Sequence, residues 1–222
     1  MTVLVVAPHP DDETLGCGGT LLKHKASGED IHWLIMTMVR QEYGFPEEQE
    51  KNRAKQIQEV SNRYAFDSIH NLDLQPAGLD RVPLGDLINK VGIVFGKVKP
   101  NTVYLPFPGD AHSDHDVTFK ACFPNTKIFR HPYVKSVRIY ETISETDFGP
   151  GIQDQGFKPN LFINIENFLD KKLEILNLYE GEILPPPFPR SSEAVKSLAL
   201  LRGHQTQTMA AESFMVTRTI EL

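Results

Sequence analysis

The sequence lacks the features that mark secreted and membrane-spanning proteins. Only two cysteines occur in 222 residues, Cys17 and Cys122, too few for a disulfide framework, so we expect a reducing compartment, the cytoplasm. No apolar run approaches the ~20 residues that a membrane-spanning helix needs, so no integral membrane segment is predicted. The short apolar run at the start ends at Pro8-His9-Pro10, which is not typical of a signal peptide.

Positive charge is also scarce. The chain has 23 lysines and arginines against 29 aspartates and glutamates, a formal net charge of −6. Nucleic-acid binding needs a basic face, and no cluster of lysine or arginine supplies one, so nucleic acid is not an expected partner. A hydrophobic content of 40% and a charged content of 23% are ordinary for a globular protein, and the length suits one domain over residues 1–222.

Apolar strands alternate with helical patterns along the chain. The predicted strands are Val3–Ala7, Ile31–Met38, Ser68–Leu72, Thr102–Leu105, Val137–Glu141 and Leu161–Ile165. The predicted helices run from Thr14 or Gly16 to Lys25, and over Glu47–Arg63, Leu84–Val98, Glu166–Tyr179 and Ser191–Gly203. Strands separated by helices favour parallel pairing with right-handed crossovers. We therefore expect an α/β fold, a three-layer α/β/α sandwich around a mostly parallel sheet.

A histidine and two adjacent aspartates follow the first predicted strand. His9, Asp11 and Asp12 come directly after Val3–Ala7. The carboxyl ends of parallel strands line the ligand crevice of open α/β sheets. Imidazole and carboxylate are common ligands of divalent metals, and a second carboxylate remains free to transfer protons. The pattern indicates a metal-dependent hydrolase.

A second polar segment, Asp110-Ala-His112-Ser-Asp114-His115, follows the fourth predicted strand. The first and fourth strands are usually neighbours in doubly wound sheets, so we expect the two segments to meet. Catalytic zinc usually takes three protein ligands and leaves one position for water. We predict His9, Asp12 and His115 as these three ligands.

The remaining polar residues of the two segments are assigned to proton transfer and charge stabilisation. We expect Asp11 to take a proton from a water molecule that the metal acidifies. We expect His112 to stabilise an oxyanion or to protonate the leaving group. Asp114 is predicted to orient an imidazole by accepting its other N–H.

Four segments together resemble a known family. They are Ala7-Pro-His-Pro-Asp-Asp-Glu13 with Gly16-Cys-Gly-Gly19, His112-Ser-Asp-His115, Ala199–Gln205 and Ala211–Phe214. The sequence is similar to the LmbE or PIG-L family of zinc-dependent N-deacetylases. The resemblance implies a Rossmann-like fold and removal of acetyl from N-acetylglucosamine-type groups, in a small molecule or a glycoconjugate. It also implies a Zn²⁺ cofactor, although a His₂Asp site can hold other divalent metals.

The family's metal-binding and catalytic residues fall on the positions already assigned, and the resemblance adds one further residue, Arg53. Its zinc ligands match His9, Asp12 and His115, its general base Asp11, its electrostatic or acid histidine His112, and its substrate-contacting arginine Arg53. Two departures concern specificity: Gln56 stands where the family commonly has glutamate, and Gln75-Pro-Ala-Gly78 replaces a frequent Asp-Gly turn. The runs Pro106–His112 and Tyr140–Thr146 look most like members linked to bacterial surface polysaccharide assembly.

Other interpretations remain open at this point. The same site can act on a non-sugar amide, or the chain can be a sugar- or nucleotide-binding module without turnover. Taken singly, the aspartates after the first strand can cap a helix, His112 and His115 can be surface residues, and Arg53 can be a solvated charge. The glycines at 16, 18 and 19 are interpreted as room for close packing. The loop Phe123–Lys135 and the segment Asp147–Pro159 are candidates for a lid or for an interface in a homo-oligomer.

Overall fold

The computed structural model describes residues 1–151 and 156–221, which form a seven-stranded sheet between two layers of helices. The strands are β1 Thr2–Ala7, β2 Asp30–Thr37, β3 Ser68–Leu74, β4 Thr102–Pro106, β5 Ser136–Tyr140, β6 Leu161–Asn164 and β7 Ala211–Thr219. The helices are α1 Asp12–Ala26, α2 Glu47–Tyr64, α3 Leu84–Val98, α4 Ser113–Cys122, α5 Leu169–Leu176 and α6 Ser192–His204.

The strand order is β3-β2-β1-β4-β5-β7-β6. The first five strands of this order pair in parallel, whereas β7 pairs antiparallel with both β5 and β6. The direction of winding reverses at β1, which lies between β2 and β4. In open α/β sheets this reversal opens a crevice at the carboxyl ends of the two neighbouring strands.

Helices cover both faces of the central part of the sheet. Successive side chains of a strand point to opposite faces, so those of β1 alternate between two apolar clusters. Val3 and Val5 of β1 pack in one apolar cluster with α1, α2 and the end of α5. Leu4 and Val6 pack in a second cluster with α3 and α4. A strand covered on both faces reads as a continuous apolar run, which is why β1 was recognisable from the sequence.

The predicted fold class is confirmed, but one strand was not predicted. The segment Ala211–Thr219 forms β7 between β5 and β6, and it makes that part of the sheet antiparallel. It carries glutamate, serine, threonine and arginine among its apolar residues and so lacks the run that marks the parallel strands. The first helix also begins earlier than expected, at Asp12, and the helix predicted over Glu166–Tyr179 is shorter, Leu169–Leu176.

None of the helices in the described ranges is both long and apolar enough to cross a membrane. Cys17 and Cys122 are both buried and unpaired. The predicted lid or interface segment Asp147–Pro159 includes residues 152–155, which lie outside the described residues. For the loop Phe123–Lys135, the role in a lid or an interface stays a prediction.

Candidate metal centre and active-site cleft

The two polar segments meet at the carboxyl edge of the sheet, as the sequence predicts. Strands β1 and β4 are parallel neighbours, so the residues that follow them leave the sheet side by side. His9 lies in the turn after β1, and Asp12 is the first residue of α1. His115 lies in the first turn of α4, after β4. These three side chains form a group whose ligand atoms lie within 4.8 Å of one another.

A carboxylate holds the far side of each imidazole. Asp114 Oδ2 lies 3.2 Å from His9 Nε2, and Asp110 Oδ2 lies 2.7 Å from His115 Nδ1. Each carboxylate accepts the N–H at that position, which leaves the lone pair on the other nitrogen. Metal-binding histidines are commonly oriented in this way. The imidazole that Asp114 orients is therefore that of His9, and Asp110 is a second orienting carboxylate to which the sequence analysis gave no role.

The two imidazole lone pairs converge on one carboxylate oxygen. Asp12 Oδ2 lies 3.3 Å from His9 Nδ1 and 3.4 Å from His115 Nε2. Asp12 Oδ1 is buried and has no hydrogen-bond partner in the described part of the chain. Three electron-rich atoms at this separation repel one another unless protons or a cation stand between them. The residues present therefore fit a divalent metal ion with nitrogen and oxygen ligands.

The carboxylates around the two imidazoles favour the protonated form of each ring. Burial lowers the pKa of His9, but its hydrogen bonds with Asp114 and Asp12 outweigh that effect and raise the pKa to about 9. Burial also lowers the pKa of His115. The negative charge of Asp12 and the hydrogen bond to Asp110 outweigh burial and raise that pKa to about 10. Since metal ligands must be deprotonated, binding of a cation would release these protons.

Asp11 occupies the N-cap position of α1, yet its carboxylate makes no capping hydrogen bond to the described residues. Its backbone has φ 149° and ψ −29°, a conformation that L-residues rarely adopt. The buried Glu13 supports this turn: it accepts a hydrogen bond from Asp11 N at 3.1 Å and another from Tyr179 Oη at 2.6 Å. Asp11 therefore occupies the N-cap position without capping the helix through its side chain, and its carboxylate lines the cleft instead.

Arg190 holds one oxygen of the Asp11 carboxylate. Its Nη1 lies 3.0 Å from Asp11 Oδ2, while Nη2 donates to Glu145 at 2.6 Å and Nε to Ser144 at 2.5 Å. Asp11 Oδ1 is buried and has no hydrogen-bond partner among residues 1–151 and 156–221. Burial and the nearby Asp12 raise the pKa of Asp11 to about 7, and the charge of Arg190 opposes this rise. One oxygen is thus fixed and the other is available to accept a proton.

His112 lines the same cleft, and its Nε2 makes no hydrogen bond to the residues that the structure describes. It is the N-cap of α4, and its Nδ1 accepts a hydrogen bond from Asp114 N at 3.1 Å. Its ring centroid lies 4.5 Å from that of His9. Burial lowers the pKa of His112, which favours the neutral ring. With Nδ1 acting as an acceptor, the neutral ring carries its proton on Nε2 and can donate it to a group in the cleft.

Arg53 is buried, not solvated, at 7% exposure. Its Nη1 donates to the Pro10 carbonyl at 3.0 Å, and Nη2 pairs with Glu182.

The cleft has a volume of about 270 Å³. It is lined by Val39, Phe45, Pro76 and Ala77 on apolar sides, and by His9, Asp11, Arg53, His112, Glu182 and Arg190 on polar ones. The departure Gln75-Pro-Ala-Gly78 thus contributes directly to its wall.

The residues that support the site were not predicted from the sequence: Asp110, Glu13, Glu145 and Arg190. Asp110 was the easiest to find, because it lies five residues before His115 in the same polar segment. Arg190 lies 179 residues from Asp11 in a proline-rich segment, and no local pattern links the two. The interpretation of His115 as a surface residue is wrong, since it is 1% exposed.

An α/β sandwich with a His/Asp/His group that could hold a metal ion, beside a further buried carboxylate, is typical of the metal-dependent hydrolases of the Rossmann-like type. A family model described as "PIG-L: GlcNAc-PI de-N-acetylase" matches residues 4–124. The chain belongs to this family of de-N-acetylases. The matched range includes both polar segments and Arg53.

Comparison with known proteins agrees with this assignment. The chain is 26% identical over 228 residues to the diacetylchitobiose deacetylase of Thermococcus kodakarensis, covering 95% of this chain and 80% of that protein. A solved structure of a conserved protein from Thermus thermophilus superposes with a TM-score of 0.79 at 26% identity, covering 100% of this chain and 97% of that one.

The fold itself is shared by enzymes of another reaction class. The 4-carboxy-2-hydroxymuconate hydratase of Pseudomonas putida superposes with a TM-score of 0.77 at 17% identity, covering 100% of this chain and 99% of that one. Fold similarity alone does not determine the reaction. The reaction must therefore be argued from the family and from the site.

Proposed function

We propose that this protein is a metal-dependent hydrolase that removes the N-acetyl group from an N-acetylglucosamine-type sugar or glycoconjugate. One observation carries the proposal: the lone pairs of His9 and His115 converge on Asp12. Beside them lies the Asp11 carboxylate, one oxygen of which has no hydrogen-bond partner in the described ranges. Family membership and similarity to a diacetylchitobiose deacetylase support the choice of substrate. A role in bacterial surface polysaccharide assembly is the pathway that we propose from the sequence resemblance.

We propose Zn²⁺ as the cofactor, held by His9, Asp12 and His115. Two nitrogen ligands and one carboxylate match the ligand set of catalytic zinc sites, although other divalent metals accept the same donors. When bound, such an ion supplies acidification of water and polarisation of the amide carbonyl.

Asp11 acts as the general base. Its free Oδ1 accepts the proton of the attacking water while Arg190 holds Oδ2. The water oxygen forms a bond to the acetyl carbon, the C–N bond breaks, and the nitrogen leaves as an amine after gaining a proton. Asp11, which has gained the proton of the water, can deliver it; His112, the alternative donor, can do so only as an imidazolium, because a neutral ring does not release its remaining N–H.

His112 stabilises the negative charge that develops on the carbonyl oxygen. Its Nδ1 is engaged by the backbone, so its Nε2–H is the group directed at the substrate. Asp114 orients His9 as a positioning residue and does not itself transfer protons. Arg53 contacts the substrate from the cleft wall, where Pro10 and Glu182 fix its guanidinium.

Acetate release tests the proposal. The metal-loaded protein is assayed on N-acetylglucosamine, N,N′-diacetylchitobiose and acetylated amines that are not sugars, alongside Asp11→Asn. We expect release from the sugars, with kcat reduced by about 10²- to 10⁴-fold in the variant because the general base is lost. Metal content should not change, since Asp11 is not a ligand. Full turnover in Asp11→Asn would remove it as the base.

Two other outcomes identify the alternatives. Release from the non-sugar amides alone favours an amidohydrolase with a different substrate. Sugar or nucleotide binding without bound metal, insensitive to Asp11→Asn, favours a binding module.

Two buried, unpaired cysteines support the cytoplasm as the compartment. Oligomeric state stays a prediction.

A further inference from the structure

A second, open cavity lies beside the active-site cleft. The cleft at the candidate metal centre has a volume of about 270 Å³ and the second cavity about 490 Å³. Gln49, Arg53 and Glu182 line both, so the two cavities share a wall. Small-molecule sites are usually ~300–1,000 Å³. The cleft alone is therefore small, and the second cavity, here called the distal groove, extends the space that a substrate can occupy.

Two contacts fix the shape of the distal groove. One wall is the exposed side of the first half of α2, and the other is the turn Glu180–Glu182. Arg53 of α2 pairs with Glu182, and Gln56 Nε2 donates to the Glu180 carbonyl at 3.2 Å. Gly181 adopts φ +91°, which lets the chain turn back at this point. These contacts join the two walls of the groove.

The lining of the distal groove suits hydroxyl groups. Gln49, Asn52 and Gln56 offer amide groups that both donate and accept hydrogen bonds. Glu48 and Glu180 offer carboxylates that accept hydrogen bonds from hydroxyls. The second and later units of a saccharide present many such hydroxyls.

The charge of the groove disfavours phosphate. Glu48 and Glu180 form no ion pair within the described ranges of the chain, and Arg53, the cation of this lining, is already paired with Glu182. The first turn of α2 carries Glu47, Glu48 and Glu50, so acidic side chains already complement the positive end of the helix dipole. Among the described lining residues, a phosphoryl group placed here would meet unpaired carboxylates and no free cation.

We propose that the distal groove binds the second unit of an uncharged glycoside, and that substrates carrying phosphate or a nucleotide at this position are excluded. The inference rests on the proposed function, since it names the substrate class of the same site. It places the scissile acetamide in the cleft beside His112 and the neighbouring unit along α2.

Substrate comparison provides the first test. We expect kcat/KM for N,N′-diacetylchitobiose to exceed that for N-acetylglucosamine by about tenfold or more, mainly through KM, because the second sugar unit adds hydrogen bonds to the groove. N-acetylglucosamine 1-phosphate and UDP-N-acetylglucosamine should be poorer than the monosaccharide. Equal efficiency for the monosaccharide and the disaccharide, or a preference for either phosphorylated compound, would overturn the proposal.

Charge reversal provides the second test. Glu180→Lys should raise kcat/KM for N-acetylglucosamine 1-phosphate by about tenfold relative to the neutral disaccharide, because it replaces repulsion by attraction. Glu174→Lys, at an exposed position on α5 outside the groove, is the charge-matched control. It should change kcat/KM for neither the phosphorylated sugar nor the disaccharide. Asn52→Leu should raise KM for the disaccharide by a larger factor than KM for the monosaccharide. Equal effects of Glu180→Lys and Glu174→Lys contradict the inference.

Binding separates this inference from the proposed function. Calorimetric titration of the zinc-loaded Asp11→Asn protein with the disaccharide, the monosaccharide and the phosphorylated sugars measures affinity without turnover. Tighter binding of the neutral disaccharide supports the groove even if no substrate releases acetate from the wild type, which would refute only the proposed reaction. Equal affinity for all four refutes the groove even if acetate is released.

Discussion

Asp11 presents one carboxylate oxygen to the cleft while Arg190 holds the other. A position after a strand and before a helix also occurs in helix caps, although the motif around Asp11 favoured an active-site carboxylate. The choice depends on where the side chain points, and its partner Arg190 is 179 residues away. Motif and spacing therefore predicted the chemical type of the residue, whereas long-range packing determines its environment.

Arg190 should act through Asp11, as a positioning residue. In Arg190→Gln, Asp11 Oδ2 loses its charged partner, so we expect kcat to fall by about tenfold or more with little change in KM. Arg190→Lys should recover part of the loss because it keeps the charge but not the forked geometry. Steady-state kinetics of the two variants, with zinc content measured in parallel, make the comparison.

Chemical rescue distinguishes positioning from a purely structural role for Arg190. Added guanidinium ion should restore part of the activity of Arg190→Ala at concentrations that do not unfold the protein. A variant with normal kcat, or one whose loss follows only from lost metal or lost folding, would contradict the assignment.

At the scale of the element, α1 depends on close packing by its glycines. A Cβ at Gly16 would lie 2.2 Å from Cδ2 of Tyr140, a buried ring whose hydroxyl donates to the Val6 carbonyl. A Cβ at Gly19 would lie 2.7 Å from the Ile165 side chain. The glycines after the first motif thus provide room for packing, as the sequence analysis proposed.

Gly16→Ala should lower the free energy of unfolding by about 1–3 kcal/mol or more, because the buried Tyr140 ring has no space to move. The matched control is Gly96→Ala in α3, where an added Cβ meets nothing within 4 Å. The control should gain about 1 kcal/mol, since alanine is the better helix former. Urea unfolding measures both, and equal stability changes for the two would contradict this packing account.

A buried ion pair ties β7 and α5 to α1. Glu212 accepts hydrogen bonds from the amides of Gly19 and Thr20, at 2.8 and 2.7 Å. Lys172 donates to Glu212 and to the Leu15 carbonyl, at 2.7 and 2.8 Å. The C-terminal segment Ala211–Phe214 was recognised in the sequence only as part of a resemblance, without this physical reason.

Glu212→Gln should lower the free energy of unfolding by about 3–5 kcal/mol, because it leaves the Lys172 charge buried and unpaired. The double variant Glu212→Gln/Lys172→Met should be less destabilised than the single one, since it removes that charge. Urea unfolding of both proteins tests the pair. A single variant as stable as the wild type would show that the ion pair is not needed.

At the scale of the whole molecule, the parallel half of the sheet was predictable and the antiparallel edge was not. Strands such as β1 are buried on both faces and appear as apolar runs, and the helices between them dictate parallel pairing. Strand β7 lies between two short strands and mixes polar and apolar residues, so its position depends on tertiary contacts. The convergence of His9, Asp12 and His115 followed from topology, because strands one and four are neighbours.

Zinc content after reconstitution and dialysis is the measurement that tests the central claim most directly. The wild type should retain about one zinc per chain, the stoichiometry of a single three-ligand site. The His115→Ala variant should lose the zinc, because only two of the three ligands remain. A folded wild type that retains no zinc or other divalent metal, or a His115→Ala variant that retains as much as the wild type, would contradict the proposed metal centre.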